Sequence, residues 1–243
     1  MSENWLTEIF NTYLVGVGNG ILGLFNITAK NPAHPWETWL VMELLVVAIL
    51  VVLVAVLRGS LSVDHPGKLQ HIFESLTGFL ADQAEEAGIH HPEKYLNFFG
   101  TLFIFILAMN LIGVIPAFEA PTMTVYVPAA LAGCTWLYYH AMGIRELGPW
   151  QYLKNFGGPI LWMAPIMFFI EIIGHVARML SLSIRLYANI LAGDQITNVF
   201  IALTYLVVPV LFMALHIFVA FLQAYIFTLL TMIYVSIGTS REH

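Results

Sequence analysis

Residues 160–191 form an apolar stretch that also carries Glu171, His175, Arg178, Arg185 and Asn189. At about 100° per helical residue, with Glu171 as zero, His175 falls at about 40° and Arg178 at about −20°. Arg185 falls at about −40° and Asn189 returns to about zero. These polar groups share one stripe roughly 80° wide on a helix built mainly of Leu, Ile, Phe, Met and Ala. Glu171 to Asn189 spans about 27 Å, most of a membrane's hydrocarbon core. An ionised side chain at mid-bilayer costs about 2.5–3.5 kcal/mol on insertion scales, so such groups face water or a partner. A carboxylate, an imidazole and guanidinium groups on one line are the chemistry of a charge pathway.

The two arginines of the stripe differ. Glu171 and Arg178 stand at i, i+7 and can close a static internal salt bridge, or Arg178 can snorkel to the interface. Arg185 has no carboxylate at i±3 or i±4 on its own helix. Its counter-charge must come from elsewhere. Residues 196–237 repeat the theme, with His216, Gln223, Thr231 and Tyr234 at about 0°, −20°, 60° and 0° on one face. A single His or Gln on an apolar helix commonly serves as an interhelical hydrogen-bond partner. Set against a stripe holding Glu171 and Arg185, the face reads as a proton path, because His titrates near neutrality. Asp194 is expected in the turn between the two segments.

These residues need helices to hold them. Five membrane helices are expected at 38–57, 95–115, 125–142, 160–191 and 196–237, the last two long and strongly tilted. Trp36 and Trp39 sit at the entry of the first as interface anchors and Arg58 closes it. Gly100 and Pro116 punctuate the second, and Pro128 opens the third. The fifth has Pro209 as its only breaker. Residues 3–25, with Trp5, Ile9, Phe10, Leu14, Val17 and Ile21 at helical spacing and no basic run of a signal peptide, read as one interfacial helix. In 64–88, Leu69, Ile72, Phe73, Leu76, Phe79 and Leu80 oppose Lys68, Gln70, Glu74, Asp82, Glu85 and Glu86. That segment reads as a surface amphipathic helix starting near Asp64 and Pro66 and stopping at Gly88. The whole of 1–243 reads as one all-α integral membrane domain.

Composition agrees. The chain has 243 residues, 59% hydrophobic and 10% charged. A soluble domain carries about 45–50% apolar and about 25% charged residues. A soluble enzyme, a disordered chain and a nucleic-acid binder are excluded, the last also by a net charge of −6. The lone Cys134 excludes a disulfide framework, and no nucleotide-binding loop is present. Arg58, Lys68, Lys94, Arg145, Lys154 and Arg241 all fall on one side of the five spans and only Lys30 on the other. The positive-inside rule then places the N-terminus outside and the C-terminus in the cytoplasm.

The run from Glu171 through Ser181, Arg185-Leu-Tyr-Ala-Asn189 and Ala192-Gly-Asp194 resembles subunit a of the bacterial rotary F-type ATP synthases. So do His216 and the run Leu222-Gln223-Ala-Tyr-Ile-Phe, as do Met109-Asn-Leu-Ile-Gly-Val-Ile-Pro116 and His34-Pro35-Trp36. The resemblance implies a non-catalytic, ion-translocating subunit of the inner membrane, without a cofactor or metal. It implies a ring of c subunits, peripheral-stalk b subunits and the rest of the synthase as partners. It further implies that Arg185 faces the rotating ring, with Asn189 and Ser181 as polar neighbours. By the same likeness Glu171, Asp194, His216 and Gln223 line two aqueous half-channels, Asp194 pairs with His216, and His175 and Tyr234 are secondary members. Two other readings fit the polar residues. A secondary transporter would use the same stripe but predicts paired broken helices or repeats. An intramembrane metalloenzyme would need Glu171, His175 and His216 together.

Overall fold

A computed structural model describes residues 4–24, 31, 33–62, 67–115, 118–155, 164–203 and 207–239. Among these residues the chain is all-α, as expected. The helices are α1 (Trp5–Tyr13), α2 (Val15–Leu24), α3 (Thr38–Ser60), α4 (Lys68–Glu86), α5 (Leu96–Ile112), α6 (Tyr126–Leu147), α7 (Pro149–Asn155), α8 (Ala164–Leu203) and α9 (Val207–Thr239). Short 3-10 turns at Pro92–Lys94 and Pro121–Met123 lead into α5 and α6.

Three stretches are long and apolar enough to cross a membrane: Thr38–Gly59, Pro165–Ile201 and Val210–Thr239. The apolar α5 has 17 residues, about 26 Å of helix, slightly less than the hydrocarbon thickness. It is also the most enclosed: Phe99, Phe103, Ile106 and Met109 are buried. They pack with Met42 and Val46 of α3, Leu80 and Ala84 of α4, Leu182, Leu186 and Ile190 of α8, and Phe227 of α9. By contrast, Val47, Val51, Val54 and Val56 of α3 stand exposed. That apolar face suits lipid rather than water.

The expected helix over 3–25 is two helices, with the break at Leu14. The Leu14 carbonyl accepts both the Gly18 N–H at 3.0 Å and the Trp36 indole N–H at 2.9 Å. One turn earlier, the Asn11 side chain accepts from the Trp36 N–H at 3.0 Å and donates to the Trp36 carbonyl at 3.1 Å. The segment before α3 therefore grips α1 by its polar side. Thr7 and Asn11 turn inward, while Trp5, Ile9, Tyr13 and Val17 are exposed. Residues 1–3 and 25 lie outside the described residues.

α4 keeps its amphipathic character and docks on the bundle. Leu80 and Ala84 enter the core, and the Tyr225 hydroxyl of α9 donates to the Gln83 side chain. Leu69, Ile72 and Phe79 remain exposed. The helix begins at Lys68; Asp64 and Pro66 lie outside the described residues. Gly88 stops it as expected, with φ of 90°, a conformation that costs glycine little. Beyond it, Lys94 Nζ sits 3.2 Å from Glu146. That ion pair ties the entry of α5 to the end of α6 and holds the Glu146 carboxyl below its ordinary range.

The largest departure concerns the last two helices. α8 does not end at 191; it runs to Leu203, 40 residues or about 60 Å. Asp194 therefore lies within the helix and not in a turn. Gly193 beside it is helical: Thr197 donates its hydroxyl to the Gly193 carbonyl at 2.8 Å, and Asn198 donates to Asp194 at 2.8 Å. The connection, 204–206, lies outside the described residues. Pro209 falls in the first turn of α9, where its missing N–H breaks no intrahelical bond. α8 and α9 run antiparallel in one register. Arg178 stands over Tyr234, Asn189 bonds Gln223, and Phe200 stacks on Phe212 at equal intervals along both helices.

Candidate functional site

Arg185 lies mid-way along α8, about 28 Å of helix from each of its ends. Its Nη2 donates to Ser181 Oγ, one turn back, at 3.4 Å. Among the described residues it makes no ion pair within 4 Å, whereas Arg178 pairs with Glu171 at 3.2 Å. Of the two arginines, then, Arg178 forms the internal salt bridge, and Arg185 stands with a hydroxyl but no carboxylate. On the same face, Ile196 and Val199 are exposed.

Towards the 203 end of α8 lies a cavity of about 340 Å³, lined by Asn189, Gly193, Phe212, His216, Gln223 and Ile226 among others. Asn189 Nδ2 donates to Gln223 Oε1 at 2.8 Å and so joins the two helices here. His216 is 4% exposed and Gln223 1% exposed, yet His216 Nε2 and Gln223 Nε2 have no hydrogen-bond partner among the described residues. Buried polar atoms of this kind are ordinarily satisfied by water when the space beside them is large enough. Gly193 makes room for the imidazole: a Cβ there would meet His216 Cδ2 at 3.3 Å. Asp194, the next residue, turns along α8 to Asn198 and makes no ion pair with His216 within 4 Å. The direct Asp194–His216 pairing implied by the resemblance is thus not made in this arrangement. The one-carbon-shorter Asp side chain is spent on its own helix.

Towards the 164 end, Glu171 Oε1 accepts from Arg178 Nη2 at 3.2 Å, and His175 Nε2 stands 3.3 Å from the same oxygen. His175 Nδ1 is 2.6 Å from the Tyr139 hydroxyl of α6. Tyr234 of α9 flanks this group, its ring 5.8 Å from the Arg178 guanidinium carbon and 6.0 Å from the Tyr139 ring. Glu171 and Gly193, against which His216 packs, are separated by about 33 Å along the helix. Glu171, His175 and His216 therefore do not form one metal-ligand set.

Sequence reasoning passed over Asn110 and Thr122. Both are fully buried. The Thr122 hydroxyl donates to Asn110 Oδ1 at 2.8 Å, and Asn110 Nδ2 donates to the Ala220 carbonyl of α9 at 3.3 Å. Ala220 is one turn from His216 and three residues from Gln223. Beyond Thr122, a second polar recess of about 330 Å³ is lined by Thr7, His34, Glu37, Glu119 and Thr124 among others. A polar line thus leads from this recess to the His216 cavity. The signal available in the sequence was the amide of Asn110 in an otherwise apolar helix.

The fold and site define a class: an all-α membrane protein whose longest helices carry a charged stripe, with a Glu171–His175–Arg178 cluster towards one end of it and a cavity beside His216 and Gln223 towards the other. Comparison with known proteins narrows the class. The family described as ATP synthase A chain matches residues 39–236, and the chain belongs to that family. A protein named ATP synthase subunit a from Solibacter usitatus is 54% identical over 235 residues, 97% of this chain and 100% of that one. The proteins of the same name from Koribacter versatilis and Geotalea daltonii are 45% and 39% identical, covering 98% and 85% of this chain and 98% and 87% of theirs.

Proposed function

We propose that this chain is the proton-conducting stator subunit a of a rotary ATP synthase in a plasma (inner) membrane, where it couples proton flow to ATP synthesis. One observation carries the reading. Among the described residues Arg185 stands without a carboxylate, between a polar cluster of Glu171, His175 and Arg178 towards the 164 end of α8 and a cavity beside Asn189, His216 and Gln223 towards the 203 end. We read these two regions as the half-channels. One runs from the recess beside Glu37 and Glu119 past Thr122 and Asn110 to His216, Gln223 and Asn189, with Asp194 nearby. The other contains Glu171, His175 and Tyr234.

The missing counter-charge is supplied by a c-ring carboxylate passing the exposed face of α8. Beside Arg185 that carboxylate is favoured as its anion, since a nearby opposite charge lowers its pKa. It gives up its proton into one half-channel and takes one from the other after passing the arginine. Arg185 does not itself deprotonate, so it conducts no protons between the channels. The subunit performs no covalent chemistry; nucleotide chemistry belongs to other subunits. Five crossings, with the N-terminus outside, put 58–94 and 143–157 in the cytoplasm, where α4 is available to the peripheral-stalk subunits.

Asn110→Leu tests the entry path. The substitution keeps the volume close and removes the amide from the polar line. Passive proton conductance of vesicles stripped of the ATPase head is expected to fall about fivefold, well short of the roughly 100-fold of a proton-transfer group because the amide only lines the path. Unchanged conductance with a normal amount of subunit in the membrane would remove Asn110 from the path.

A further inference from the structure

We infer that Tyr139, His175 and Glu171 form a proton relay that joins the cytoplasm-side half-channel to α6. The inference rests on the half-channel reading above and adds to it a donor on a helix that the charged stripe does not include.

Three contacts carry it. Tyr139 Oη lies 2.6 Å from His175 Nδ1, and His175 Nε2 lies 3.3 Å from Glu171 Oε1. Arg178 Nη2 lies 3.2 Å from that same oxygen. The charges fix the direction of the hydrogens. A carboxylate paired with an arginine is ionised and only accepts. The imidazole hydrogen therefore rests on Nε2, the nitrogen 3.3 Å from that oxygen. A neutral imidazole protonated at Nε2 accepts at Nδ1, so Tyr139 donates its hydroxyl hydrogen. At rest the hydrogens point from Tyr139 through His175 to Glu171, and the reversed tautomer carries a proton the other way.

The step balances. A proton reaches the Tyr139 oxygen from water. The hydroxyl passes its own proton to Nδ1, and Nε2 releases its proton to Glu171. Glu171 then hands the proton on, and rotation of the imidazole or return of the tautomer resets the chain. One proton enters, one leaves, and nothing is oxidised or reduced. The surroundings suit the task. Tyr139 is 2% exposed and His175 7% exposed. The His140 ring lies 4.4 Å from Tyr139 and 4.7 Å from His175, centroid to centroid, and Tyr152 of α7 closes the group 5.9 Å from His140. Gly143 lets α7 and α9 come this close: a Cβ there would lie 2.4 Å from Tyr152 Cε2 and 2.7 Å from the Gly238 carbonyl oxygen.

The test uses the whole synthase in inverted vesicles, with passive proton conductance read after removal of the ATPase head. Tyr139→Phe keeps the ring and deletes only the hydroxyl. It is expected to lower conductance roughly 100-fold, the lower end of what one proton-transfer group contributes. His175→Ala should do the same, and the double variant should be no worse than either single one. Added imidazole should restore conductance to His175→Ala and not to Tyr139→Phe. Conductance of Tyr139→Phe within twofold of the parent, at equal subunit content, overturns the relay. If Tyr139→Phe fails to assemble, His175→Ala decides alone, and failure of imidazole to restore it overturns the relay. Glu171→Gln separates the two claims. If it loses conductance while Tyr139→Phe does not, the half-channel stands and the relay falls. If neither loses conductance, the half-channel reading falls with it.

Discussion

Inverted vesicles carrying Arg185→Ala will hydrolyse ATP and pump no protons. The effect is expected to be complete because no other group can replace the guanidinium. Arg178, the nearest cation on the helix, is committed to Glu171 at 3.2 Å. Without a fixed positive charge mid-way along α8, a ring carboxylate has no reason to ionise there, and the two half-channels are no longer separated by a cation. The driving force of about 2.3 kcal/mol per charge per 100 mV then dissipates without turning the ring. Lys should restore little, since a desolvated ammonium can lose its proton and a guanidinium does not. Assembly should survive. Arg185 is only partly buried and its one contact is a 3.4 Å hydrogen bond to Ser181, so truncation opens no cavity in the core. Subunit content by immunoblot, together with acidification of the vesicle interior, checks both halves. Normal pumping by the variant would remove Arg185 from the mechanism.

Gln223→Leu should produce the next largest loss. Gln223 holds Asn189 at 2.8 Å and presents an unpartnered Nε2 beside the 340 Å³ cavity. Leucine fills similar space and keeps the packing of α9. It also strips the cavity wall of a hydrogen-bonding group and leaves Asn189 without its partner. Passive proton conductance is expected to fall about tenfold, less than the roughly 100-fold or more of a lost proton-transfer group because the amide lines the path and does not titrate, with the subunit still in the membrane. Gln223→Glu, which retains an acceptor for Asn189, should fall less. Equal conductance of Gln223→Leu and the parent would count against the cavity as a water-filled path.

Much of this was legible because polar residues in an apolar helix are few and costly. The stripe from Glu171 to Asn189 could be read from spacing alone, and Arg178 could be seen to have a carboxylate within reach where Arg185 had none on its helix. The facing residues His216, Gln223 and Tyr234 followed from the same periodicity. The end of α8 was not legible. Gly193 stays helical and admits the close approach of His216 from another helix, and no local pattern encodes that. Leu14 is similar: the break between α1 and α2 depends on the Trp36 indole, which arrives from beyond a turn. Asn110 and Tyr139 were passed over for related reasons. Asn110 finds Thr122 and the Ala220 carbonyl only in the folded bundle. Tyr139 stands in a helix rich in aromatic residues, where a tyrosine ordinarily reads as an interface anchor. Local rules identify groups that are expensive in lipid. They do not say which distant group makes each of them tolerable.

The central claim is that two polar spaces open to opposite sides of the membrane and are divided at Arg185. Cysteine accessibility tests it most directly. Cys134, an exposed free thiol, is first replaced by Ser; Glu171→Cys and His216→Cys are then made separately. A membrane-impermeant thiol reagent is applied to inverted and to right-side-out vesicles containing the whole synthase. The account predicts that the thiol at 171 reacts only from the cytoplasmic side and the thiol at 216 only from the opposite side. Reaction of both from one side, or of either from both, would contradict it.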